Sequence, residues 1–315
     1  MKLIAPNYYP QFRCIADRCR HSCCIGWEID IDADSLARFE ALEGPYAETL
    51  RSRIDRSGEA PHYRLREHER CPFLLENGLC EMILTLGEDS LCQICADHPR
   101  FRNYYADRTE LGVGLCCEAA ASLILKRPTP MTLEVLEDDN IADEEDEEEQ
   151  TLLSFRDMLF EILQDRSCTM DERLEELLNT CGAKCDFYPG HWAEKLLELE
   201  RLDDNWTVLL ERLGRQAEFD SPTLHSPEWE IAFEQAAVYF LFRHLPASLE
   251  DGDIASKAAF TALSMHILRA LCSGTDSPTL DDLAEFARMY SSEIEYSEEN
   301  LQTVFDWLSP SDFTM

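Results

Sequence analysis

The sequence predicts a mainly α protein, in which an amino-terminal cysteine-rich, metal-binding module with a few short strands precedes an all-α helical bundle. Three observations carry that expectation. Ten of the fourteen cysteines fall between Cys14 and Cys117. Residues 134–149 hold eleven acids and no base. From residue 151 onward, apolar side chains recur at helical spacing. The boundary is expected at the acidic tract, because charges of one sign packed this densely repel and extend the chain. Pro128 and Pro130 stop whatever precedes it. This gives a cysteine-rich domain over 1–127, an acidic linker over 128–150 and a helical domain over 151–315.

In the first part, Leu36, Phe39 and Leu42 make one face of a short helix after Asp34-Ser35. The alternation of Trp27, Ile29 and Ile31 predicts a buried strand face, with Glu28, Asp30 and Asp32 on the solvated side. Phe73-Leu74-Leu75 and Leu79 to Met82 flank Asn77-Gly78, a tight-turn pair that would bring Cys71 near Cys80 across a small hairpin. Phe101 to Tyr105 and Leu111 to Leu115 read as a second pair of strands. Cys116 to Leu125 reads as a helix with cysteines in its first turn, where the positive end of the peptide dipoles favours thiolate. In the second part, Leu152 to Leu163 gives one amphipathic helix. Thr169 to Glu172 is a capping box opening the next, over Leu174 to Cys181. Further helices are expected over Trp192 to Leu213, after Ser226-Pro227, over Ala258 to Leu271, over Leu280 to Tyr290 and over Leu301 to Leu308.

The formal net charge of −35 repels phosphate backbones and argues against a nucleic-acid partner, while suiting a basic or lysine-bearing polypeptide. Plain solubility explains the same charge. The apolar runs are too short to span a bilayer, and the first residues show no secretory h-region, so a cytoplasmic protein without membrane insertion is expected. Thiols stay reduced in that compartment, where clustered cysteines favour metal ligation over disulfides. Iron–sulfur clusters take cysteine thiolates, usually four per cluster, and zinc takes the same soft donors in a closed tetrahedron. The spacing Cys14-x4-Cys19-x3-Cys23-Cys24 matches neither zinc-finger knuckles nor the Cys-x3-Cys-x2-Cys signature of radical chemistry. No glycine-rich strand-to-helix loop of the dinucleotide-binding type is present, which shifts cofactor binding toward the cysteine module.

The run Tyr9-x2-Phe12-x-Cys14-x4-Cys19-x3-Cys23-Cys24-x-Gly26-Trp27-x-Ile29-x-Ile31-Asp32 resembles the opening of the flagellin lysine-N-methylases of the FliB type, and also the YkgJ-like cysteine-cluster proteins. The resemblance continues at Cys71-Pro72-Phe73-Leu74, Gly78-Leu79-Cys80, Cys95-x2-His98-Pro99-Arg100 and Cys116-x-Glu118-Ala119-Ala120. It implies a protein-lysine N-methyltransferase that uses S-adenosylmethionine, binds a 4Fe–4S cluster and acts on flagellin lysines. It also implies the metal-ligand candidates Cys14, Cys19, Cys23, Cys24, Cys71, Cys80, Cys95 and Cys116, with Cys92 and Cys117 less typical. These eight exceed the four donors one cluster needs, and the resemblance assigns neither catalytic nor cofactor-contacting residues.

The residues by themselves leave a second function open: a non-enzymatic zinc or iron–sulfur module for interaction or electron transfer. His98 reads as a borderline metal partner or a structural hydrogen-bonding histidine, and Arg100 as a carboxylate binder or a surface pair. Cys168, Cys181, Cys185 and Cys272 lie on helical periods and are expected in the core.

Overall fold

The computed structural model describes residues 1–58, 60–139, 146–216 and 220–309. Along the chain run β1 (Lys2–Pro6), α1 (Ala33–Ala41), α2 (Pro45–Ser52), β2 (Ile54–Asp55), β3 (His62–Tyr63), α3 (Glu81–Leu86), α4 (Gln93–Asp97), β4 (Arg100–Tyr104) and β5 (Arg108–Val113). Then come α5 (Glu118–Leu125), β6 (Leu133–Asp138), α6 (Glu147–Leu163), α7 (Met170–Thr180), α8 (Pro189–Glu198), α9 (Asp204–Leu213) and α10 (Pro227–His244). The order closes with α11 (Ser248–Asp251), α12 (Ile254–Ser273), α13 (Leu280–Tyr290) and α14 (Glu298–Leu308). The protein is mainly helical, as expected. Its contacts divide it into a unit of residues 13–101 and a unit made of residues 1–12 and 102–315.

The first unit holds eight of the fourteen cysteines, Cys14 through Cys95, while Cys116 and Cys117 fall in the other. Its small core joins Ile29, Ile31, Phe39, Leu50, Tyr63 and Phe73 to Cys71 and Cys92. Residues 27–31 alternate in burial as expected, yet they form one isolated bridge, Asp30 with His62, instead of a strand. The expected solvated Asp32 has a structural task. It caps α1, one carboxylate oxygen accepting from Ser35 N–H at 2.8 Å and the other from Gln93 N–H at 2.8 Å. Burial alone would raise its pKa, but these backbone donors outweigh burial and hold it near 2, against 3.8 for an ordinary aspartate. A folded-state pKa below the unfolded value contributes stability above about pH 4, and that contribution fades as pH falls toward 2. Asp32→Ala is therefore expected to cost about 1–2 kcal/mol at neutral pH, with the deficit shrinking in chemical denaturation below pH 4.

In the second unit, a four-stranded sheet has the order β4-β5-β1-β6. β1 runs parallel to β5, pairing Lys2 with Arg108 and Ile4 with Glu110, and antiparallel to β6, pairing Pro6 with Leu133. The acidic tract expected as a linker is thus structured at both ends. Its start is the β6 edge strand, and its end, Glu147 to Glu149, forms the first turn of α6. Carboxylates are favoured there because the unsatisfied N–H groups carry partial positive charge. Asp146 caps the helix by accepting from Glu148 and Glu149 N–H.

α10 and α12 are buried on nearly every face, as helices apolar all round must be. They pack against each other, with α5, α6, α7, α9, α13 and α14 around them. Phe240, Phe260 and Tyr290 meet edge-to-face or stacked at their contact. The Thr169 capping box and the Ser226-Pro227 start are both present. A π-helical turn over Ser291–Glu295 follows α13. It aims Glu295 at His244 Nε2, 2.6 Å away, and at Arg243 Nε, 3.3 Å away. Among the described residues, no helix is long and apolar enough to cross a membrane.

Candidate metal centre

Two backbone devices draw distant thiols together within the unit of residues 13–101. The first lays the Cys24 segment antiparallel to the Cys71 segment: Ile25 bridges Arg70, and Cys71 N–H donates to the Cys24 carbonyl at 2.8 Å. Arg66 fixes this crossing by donating to the Cys71 carbonyl at 3.1 Å. The second is the turn at Asn77-Gly78. Gly78 takes φ +82°, a region open to glycine, and its N–H donates to the Leu75 carbonyl at 3.0 Å. Leu74 then bridges Cys80, as the sequence predicts for a hairpin. The second arm departs from that expectation, because Glu81 N–H bonds the Phe73 carbonyl and the chain winds directly into α3.

α4 contributes the remaining thiols. Cys92 sits at its N-cap and is fully buried, with Cys95 one turn on. Cys95 donates to Cys92 through both thiol and backbone N–H. Together these overcome burial and hold the Cys92 thiol down to about 7. Cys95 is correspondingly pushed far up, by that same bond, by burial and by the charges of Cys92, Cys71 and Cys24. Cys24 is held to about 7, chiefly by a hydrogen bond from Cys23. Cys71 is pushed up to about 12 by burial, with the Cys24 and Cys80 thiols adding to the shift. Cys80 is raised by burial, against backbone N–H donors from Ile83 and Met82.

The structure therefore brings Cys23, Cys24, Cys71, Cys80, Cys92 and Cys95 into one electrostatic neighbourhood. All fourteen cysteines are thiols, not disulfides. Soft donors gathered half-buried, some ionised and some carrying protons at a desolvation cost, suit a soft metal centre. Cys14 is exposed, its sulfur accepting from Ala16 N–H at 3.4 Å. Cys19 is partly buried and donates to the His21 carbonyl at 3.1 Å. Cys116 belongs to the other unit, where burial pushes its thiol up to about 12 beside Tyr296. Cys92 ranked low in sequence, although its Cys-x2-Cys spacing to Cys95 carried the signal. Of the thiols expected in the core, Cys272 is fully buried, Cys181 and Cys185 are partly buried and Cys168 is exposed. His98 lies beside Trp27, ring centroids 6.3 Å apart.

A family model described as the FliB lysine N-methylase C-terminal domain matches residues 190–314, the stretch from α8 onward. A protein named Lysine-N-methylase from Salmonella typhimurium is 28% identical over 136 residues, 41% of this chain and 33% of the relative. A protein of the same name from Salmonella choleraesuis matches to the same extent. Flagellar biosynthetic protein FliU of Salmonella muenchen is 27% identical over 136 residues, 79% of its length. The match spans about a third of the length of the two methylases. No solved structure matches. Over part of its length the chain is thus similar to the FliB-type lysine N-methylases.

Proposed function

We propose that the protein transfers a methyl group from S-adenosylmethionine to lysine side chains of flagellin, with a 4Fe–4S cluster held by the cysteine unit. The observation that carries the metal part is the convergence of buried thiols from three separate stretches around Cys24, Cys71 and Cys95. Within that group we assign Cys24, Cys71, Cys80 and Cys95 as ligands. Cys95 feels both Cys71 and Cys24, whereas Cys92 is coupled chiefly to Cys95 through their hydrogen bond. Cys14, Cys19 and Cys23 stay in the proposed donor set as supporting thiols, whereas Cys116 lies in the other unit and is left out of it. When bound, a cluster whose four irons were all taken by these thiolates would hold the unit together rather than ligate S-adenosylmethionine. The protein's own part is to bury these sulfurs, exclude water from them and release their protons. Metal loading of the apoprotein should accordingly weaken as pH falls below about 7, where the ligand Cys24 gains a proton.

Methyl transfer to lysine needs the neutral amine, so the ammonium must give up its proton to an acceptor or be desolvated. The strongly acidic surface attracts a lysine-bearing substrate, and the thiol chemistry fits a reducing, cytoplasmic compartment. A second reading has its own support. The family match covers 190–314, outside the cysteine unit, which is compatible with a zinc or iron–sulfur site that only stabilises or carries electrons. One experiment separates the two. Protein purified without oxygen is incubated with flagellin and methyl-labelled S-adenosylmethionine, and label on flagellin lysines is the expected result. Bound metal without any transferred label would leave the second reading.

A further inference from the structure

The helical unit contains a cavity of about 600 Å³ between α7, the residues following it and α12, within the volume range of small-ligand sites. Its wall has two characters. Leu174 and Leu178 give an apolar strip on α7. Asp171, Glu175, Asp186 and Asp220 supply four carboxylates against two cations, Lys184 and Arg269, so the wall has a net negative charge. Arg269 is itself committed, its Nη1 paired with Asp171. Its side chain is 3% exposed, and its Nη2 has no hydrogen-bond partner. His266 stacks on Phe187, ring centroids 5.3 Å apart. Burial, reinforced by the Arg269 charge, holds its imidazole down to about 4, so at neutral pH the ring adds no positive charge to the cavity.

An apolar strip leading to surplus carboxylates is complementary to a long aliphatic side chain ending in a cation. The unmet guanidinium donor at Arg269 calls in addition for a carbonyl oxygen, which a polypeptide backbone supplies and a free amine does not. We propose that this cavity takes a lysine side chain of a polypeptide substrate, its methylenes against Leu174 and Leu178 and its ammonium among the carboxylates. The inference deepens the methylation reading by naming where the lysine enters, and takes from that reading only the identity of the polypeptide.

Binding of Nα-acetyl-lysine methylamide to the full chain, followed by NMR, tests the cavity directly. The norleucine analogue, which lacks the nitrogen, is the control. The lysine probe is expected to bind and the norleucine probe to fail. Glu175→Gln with Asp186→Asn, two exposed positions, should weaken lysine binding about tenfold, and Leu178→Trp should abolish it by filling the space. Equal binding of both probes, or undiminished binding to folded Leu178→Trp, overturns the proposal. Flagellin methylation separates the two readings. Wild-type and Leu178→Trp proteins methylating at equal rates would overturn the cavity and leave the methylase intact. Lysine-probe binding lost in the variants, with no methylation by wild type, would uphold the cavity and remove the methylase.

Discussion

Cys71→Ser and Cys80→Ser are each expected to strip the protein of metal, lowering bound iron at least about tenfold and bleaching the visible absorbance of anaerobically purified protein. Both sulfurs lie where the chain cannot move them aside. Cys71 is buried in the small core, its N–H tied to the Cys24 carbonyl, and Cys80 is held by its bridge to Leu74. Serine keeps the size but removes the soft donor, and a hydroxyl does not ionise at neutral pH as a metal-bound thiol does. Because ligation energy is also folding energy, these variants should melt earlier than wild type, and only in protein that was metal-loaded beforehand. Cys168→Ser, at an exposed position, is the control and should keep both iron and stability. Iron retained by Cys71→Ser and Cys80→Ser alike would dismiss the proposed centre. The same measurement on Cys14, Cys19 and Cys23 sorts ligands from supporting thiols.

What the sequence disclosed and what it withheld divide along the range of the interactions involved. Helices α6, α7, α10, α12 and α13 were legible because apolar spacing and caps such as Thr169 and Ser226-Pro227 are local signals. The turn at Asn77-Gly78 was legible for the same reason, as was the approach of Cys71 and Cys80, whose thiols act on each other. β1 was not. Five residues ending in Pro6 become a strand only by pairing with β5 and β6, more than a hundred residues away. The same pairing makes part of the acidic tract a strand. Cys24 meets Cys71 through a bridge between remote segments, so the sequence showed which thiols were plentiful but not which ones met. The cavity was invisible for a similar reason: its wall is assembled from α7, residues 183–186, Asp220 and α12. Asp32 shows the limit of alternation as a guide. Its pattern says solvent, while its oxygens cap one helix and bind the first residue of another.

The largest effect on stability is expected at Arg156. This side chain reaches from α6 to Glu110 on β5, with Nη2 donating at 3.0 Å and Nη1 to the other carboxylate oxygen. The two side chains are 2% and 0% exposed, so neither charge has water to fall back on. The guanidinium also lies over the Phe160 and Phe242 rings, at 5.4 and 5.8 Å, which couples the helix to α10. Burial by itself would lower the arginine's pKa, but the Glu110 carboxylate outweighs burial and raises it, so the guanidinium stays charged. Arg156→Leu leaves that carboxylate buried without its counterion and should cost about 3–5 kcal/mol in urea or guanidinium unfolding. Removing both charges, in Glu110→Leu with Arg156→Leu, should recover most of the loss, because the penalty lies in the unpaired charge and not in the missing attraction. If the single substitution proves as mild as the double, Glu110 is reaching water or another cation, and the sheet is not fastened to α6 through this pair.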